Sequence, residues 1–132
     1  GDGDGDGDGD GDGDGDGDGE VPVLDRRCIE LLRRENPLDP TLVDDLVRLF
    51  LAECPSLAQT LRAALQSRDS AACIPPAHRL KSSAEALGLG ELARLCRTIE
   101  ELGHSGEIPP RLADEFAATF ERAGDAMGSL LR

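Results

Sequence analysis

The chain has 132 residues, 39% of them hydrophobic and 2% aromatic, with a net charge of −13 at pH 7. Nine of its acidic side chains fall in a strict Gly-Asp alternation from Gly1 to Gly19, so residues 20–132 keep a charge of only −4. With no Trp or Tyr, three Phe and no basic stripe, nucleic-acid binding lacks both its charge footprint and its stacking groups. No apolar run approaches the roughly 20 residues of a membrane helix.

The Gly-Asp tract has no apolar side chain to bury and a dense negative charge, so it cannot offset the entropy of ordering. We therefore divide the chain into a disordered tail or linker, residues 1–20, and one helical domain, residues 21–132. The tract resembles a simple repeat, and the 13 Arg against a single Lys fit the same GC-rich coding bias. Calcium loops place their oxygens at fixed offsets on an ordered turn, a design that plain alternation lacks. The chain begins with Gly and its only Met is Met127, as expected of a piece cut from a longer protein. Cys28, Cys54, Cys73 and Cys96 are widely spaced with no CxxC pair, which reads as buried thiols of a cytoplasmic protein rather than a zinc site or a disulfide framework. No signal peptide is visible.

In chain order, Asp25 is a good N-cap for a short amphipathic helix to Glu35, with Cys28, Ile29, Leu31 and Leu32 on one side. Asn36-Pro37 ends it. A second helix starts at Asp39 or Pro40, with Leu42, Val43, Leu46, Val47, Leu49 and Phe50 at helical spacing. Cys54-Pro55 either breaks it or kinks it, and Leu57, Leu61, Ala64 and Leu65 form the stripe that follows. Ser67 to Ser70 is a polar turn and Ala71 to Ile74 a short helical turn. After Pro75-Pro76 a helix runs to about Leu87, ended by Gly88 and Gly90. The next spans Glu91 to Leu102, Gly103 to Pro110 is a loop, and the last helix runs from Arg111 to Leu131. Within residues 21–132 no stretch alternates apolar and polar residues with period two. The fold class is all-α: an antiparallel four-helix bundle with an accessory N-terminal helix.

The stretch Ala77–Gly88, AHRLKSSAEALG, carries the chemistry. At about 100° per residue, Leu80, Ala84 and Leu87 share one side, and His78 falls nearly opposite, flanked by Lys81, Ser82 and Glu85. A histidine opposite the apolar stripe faces solvent. Exposed imidazole is partly neutral near pH 7 and can accept a phosphoryl group, a transfer that needs little beyond positioning and charge neutralisation. Lys81, the only lysine of the chain and one turn on, is placed to neutralise phosphate oxygens. If the helix begins at the double proline, His78 sits in its first turn, where free N–H groups and the helix dipole assist. Ser83 falls at the core edge, with its hydroxyl turned to the preceding turn. His104 reads as a solvated loop residue.

Ala77 to Gly103 resembles the signature of histidine-containing phosphotransfer (HPt) domains. The matching residues are His78, Leu80, Lys81, Ser83, Leu87 and Gly88, then Leu92, Leu95, Cys96, Ile99 and Glu100. Upstream, LVDDLVRLFLAECPSLAQTLRAAL is similar to the helical pair that precedes them in that family. The resemblance covers about Val23 to the C-terminus. It implies a bacterial phosphorelay carrier whose His78 takes a phosphoryl group from a receiver aspartate, with Arg79, Ser82 and Glu85 at the docking face. It further implies no cofactor of its own, Mg²⁺ on the receiver, and as partners response-regulator receiver domains and a sensor or hybrid histidine kinase, with neither nucleic acid nor membrane. Such a domain is not itself an enzyme, though it can belong to a larger hybrid kinase. Ser82 stands where the family usually has Gly. Two other readings stay open: a phosphorylation-inactive adaptor, and the phosphoacceptor domain of a chemotaxis-type kinase.

Overall fold

The computed structural model describes residues 21–131; the Gly-Asp tract expected to be disordered lies outside the described residues. Five helices form: α1 (Arg26–Glu35), α2 (Leu42–Ser67), α3 (Ser70–Ala86), α4 (Gly90–Ser105) and α5 (Leu112–Gly128). No strand occurs among the described residues. Short connections fold α2 to α5 back and forth into an antiparallel four-helix bundle. α3 packs most closely on α4 and also on α2, α5 lies against α2 and α4, and α1 rests on α2.

Each connection has a local cause. Asp25 caps α1 by accepting from the Arg27 amide at 3.0 Å. Between α2 and α3, Arg68 turns the chain in the left-handed region at φ 58°, and Asp69 then caps α3 by accepting from the Ala72 amide at 3.2 Å. α3 ends on Gly88 at φ +75°, where a Cβ would stand 2.8 Å from the Cys28 Cβ and 2.9 Å from the Asp25 carbonyl oxygen. Only glycine suits that conformation and that approach. The Gly88 carbonyl accepts from the Asp25 amide at 2.8 Å, and the Pro22 carbonyl from the Glu91 amide at 2.9 Å. The N-terminal segment is thereby pinned across the α3–α4 corner.

The core runs the length of the bundle, with Val47, Leu61, Leu80, Leu92, Ile99, Phe116 and Met127 fully buried. The Phe50 and Phe116 rings each lie 6.0 Å from Phe120, joining α2 to α5 by aromatic contact. Arg122 of α5 grips Glu91 of α4 with two 3.0 Å bonds. Of the cysteines, Cys54, Cys73 and Cys96 are buried and Cys28 is half-buried; all are free thiols. Burial, with Glu100 adding to it, pushes the Cys96 thiol up to about 12. No helix among the described residues is long and apolar enough to cross a membrane.

Several expectations need correction. Of the two alternatives at Pro55 the break is the one that fails: α2 is one long helix of 26 residues with Pro55 inside it. Pro75 and Pro76 lie inside α3, which starts five residues before them at Ser70 and absorbs the short turn at Ala71–Ile74. Burial around each proline, at Cys54 and Ala58 and at Cys73, Pro76 and Ala77, carries the helices through. His104 and Gly103 belong to α4, not to a loop. At Gly103 a Cβ would meet Ile74 Cγ1 at 2.7 Å and the Ser70 carbonyl oxygen at 2.9 Å, so the missing side chain sets how closely α4 approaches the first turns of α3. Leu31 and Leu49, expected on apolar faces, are exposed.

Candidate functional site

His78 is the ninth residue of α3. Its neighbours Ala77, Leu80 and Ala84 are completely buried, which turns the imidazole outward, with 60% of the side chain exposed. The first-turn position is thus overturned: His78 lies beyond the free N–H groups, and its surroundings are side chains. Nδ1 lies 2.9 Å from Glu100 Oε2, reached across the α3–α4 contact. The other carboxylate oxygen, Oε1, lies 2.7 Å from the Lys81 ammonium. One carboxylate thus joins the histidine to the lysine one turn away.

The electrostatics of this trio fix the state of the ring. The Lys81 contact, reinforced by His78 and opposed by burial, holds the Glu100 carboxyl below its ordinary value, so at neutral pH Glu100 is ionised and can only accept. The ring nitrogen facing it must therefore be the one that carries hydrogen. In neutral imidazole this leaves the Nε2 lone pair free and directed away from Glu100. Glu100 Oε1 is buried and has no well-directed hydrogen bond among the described residues; the off-angle Lys81 ammonium is what compensates its charge.

On the opposite side of His78, α2 and α3 bound an open groove of about 340 Å³. Leu46, Leu49, Phe50 and Leu57 form its α2 wall, and His78, Arg79, Ser82 and Ala86 its α3 wall. Leu49 is 51% exposed, an unusual position for a large apolar side chain beside a polar site.

A family model, the Hpt domain, matches residues 45–126. The chain belongs to the Hpt domain family. The structure is similar to histidine-containing phosphotransfer protein B (HptB) from Pseudomonas aeruginosa PAO1, with a TM-score of 0.70 and 25% sequence identity, over 83% of this chain and 95% of that one. No curated protein matches the chain in sequence. Membership makes this a domain of histidine phosphotransfer, and the helical bundle is the Hpt fold.

Within the Hpt domain, the residues singled out in the sequence divide between the two sides. His78, Arg79 and Ser82 share the groove. Lys81 turns to Glu100, and Glu85 pairs with Arg97 of α4 at 3.4 Å. Ser83 also lines the groove, and its hydroxyl meets the Cys54 thiol of α2 rather than the preceding turn. The residue that sequence reasoning missed is Glu100. It stood in the matching helical pattern without a role, because its partner lies 22 residues earlier. The available signal was its acidity at the end of that pattern, opposite the one lysine.

Proposed function

We propose that His78 is the phosphoryl-carrying residue, accepting from an aspartyl phosphate of a receiver domain and passing the group to another response regulator. The observation that carries this reading is the exposed imidazole whose Nδ1 is held by an ionised carboxylate. The Nε2 lone pair attacks phosphorus, the P–N bond forms as the P–O bond to the aspartate breaks, and the electron pair leaves on the aspartate carboxylate. Nδ1 keeps its hydrogen throughout, and Glu100 meets the positive charge that develops on the ring. In the return step the ring leaves as neutral imidazole, so no proton moves in either direction and transfer stays reversible.

Lys81 keeps Glu100 ionised and so acts on the ring through that carboxylate. The apolar α2 wall of the groove receives the partner, with Arg79 and Ser82 at its edge and Glu85 on the far flank. The receiver supplies its own Mg²⁺, the Hpt domain acts as carrier rather than catalyst, and the partners are receiver domains and a kinase of a cytoplasmic two-component phosphorelay. The test is incubation with a phosphorylated receiver domain. The expected result is a label that is acid-labile and base-stable on the wild type and absent from His78→Gln. A label that survives His78→Gln overturns the assignment, and failure to label the wild type from a panel of receivers favours the adaptor reading.

A further inference from the structure

A phosphoryl group on His78 brings about two negative charges to the surface, and the lysine one turn away is already engaged. Lys81 Nζ lies 2.7 Å from Glu100 Oε1 and its side chain is only 21% exposed. That oxygen is buried and has no other compensation among the described residues. Swinging Lys81 out to a phosphoryl group would leave a buried carboxylate oxygen uncompensated, which is costly. The pair is also neutral as a unit, so seen from Nε2 the α4 side offers little net positive charge.

The groove side is different. Arg79 is exposed and lines the same groove as His78. It makes no ion pair among the described residues, and its charge reaches the Cys54 thiol of α2 across the groove. Glu53 of α2 lines the groove as well, outside ion-pair distance of Arg79. Ser82 is exposed on the same wall, four residues after His78. Helical side chains lean toward the N-terminus, so its hydroxyl covers the surface between the two residues. A guanidinium fork and a hydroxyl are a natural set of donors for phosphoryl oxygens.

We infer that Arg79, with the Ser82 hydroxyl beside it, holds the phosphoryl oxygens of phosphorylated His78 from the groove side, while Lys81 stays with Glu100. This rests on His78 being the phosphoryl carrier. No bond is made or broken by either residue; they fix the orientation of the group and lower its negative charge. Replacing the usual glycine of the family by Ser82 then adds a hydrogen-bond donor to the site.

The test phosphorylates the full chain with phosphoramidate, a small donor that needs no receiver, and follows the phosphohistidine by ³¹P NMR against pH. Arg79→Gln is expected to raise the pH midpoint of the phosphoryl resonance and to shorten the lifetime of the label by about threefold or more, the effect of one exposed charge-assisted bond. Arg79→Lys restores most of both, and Ser82→Gly shifts them less, in the same direction. A midpoint unchanged in Arg79→Gln but moved by Lys81→Gln overturns this inference and leaves His78 as carrier. Failure of phosphoramidate to label His78 overturns both.

Discussion

The two flanks of His78 are built from opposite materials. Toward α4 the ring meets a compact set of charges, Glu100, Lys81 and the outlying Glu85–Arg97 pair. Toward α2 it borders a groove walled by leucines and a phenylalanine. The charged flank acts on the ring itself, by fixing which nitrogen carries hydrogen. The α2 wall of that groove, Leu46, Leu49, Phe50 and Leu57, carries no group that can bond to the ring and is suited to bury a partner's surface. On the function proposed for this Hpt domain, reactivity and recognition are therefore written on different helices, and one histidine belongs to both.

The division can be tested by asking which donor feels which substitution. Glu100→Gln should give the largest effect. The amide is neutral and can present either an acceptor or a donor to Nδ1, so the ring loses its fixed tautomer and its counter-charge. Labelling of His78 should fall by about 10- to 100-fold, and equally with phosphoramidate and with a phosphorylated receiver. Leu49→Glu comes next. An acidic residue on the groove wall should weaken receiver-dependent transfer by about tenfold, seen as a raised KM, with phosphoramidate labelling unchanged. If both donors suffer alike, the groove shapes the reactive ring as well, and the division fails.

The smallest effect concerns acid. The Glu100 carboxyl is held below its ordinary value of 4.5, so the stability it contributes is fully present above that value and disappears as pH falls through the lower value of the folded state. Wild type and Glu100→Gln should therefore differ in thermal midpoint near neutrality and converge in strong acid. A difference that persists unchanged at low pH would show that the carboxylate charge is not what the Lys81–Glu100–His78 contact depends on.

Helical periodicity made the bundle legible, because leucines at three- and four-residue spacing commit a segment to one buried face. The exposed His78 followed from the same wheel. What failed were local rules applied at prolines. A missing amide hydrogen says that a rung is lost, and nothing in the immediate sequence says that Cys73, Ala77 and Gly103 pack the helix in place on either side. Glu100 was unreadable as the histidine's partner for the converse reason. Which carboxylate of the next helix lies opposite His78 depends on how α3 and α4 slide past each other. That register is set by contacts such as Gly103 on Ile74, which no one-dimensional pattern contains.

The double proline has a dynamic consequence. Pro75 and Pro76 carry no amide hydrogen, so the exposed Ala71 and Ala72 lose the donors that would close their turns. α3 is one helix in shape but two in cooperativity, since helix unwinding spreads rung by rung and here two successive rungs are absent. Fraying that starts at Asp69 stops at the prolines instead of running on to His78. In hydrogen exchange, amides from Ser70 to Ile74 should open separately from, and more readily than, those from Ala77 to Ala86. The turn that carries His78 is thereby insulated from its own helix end.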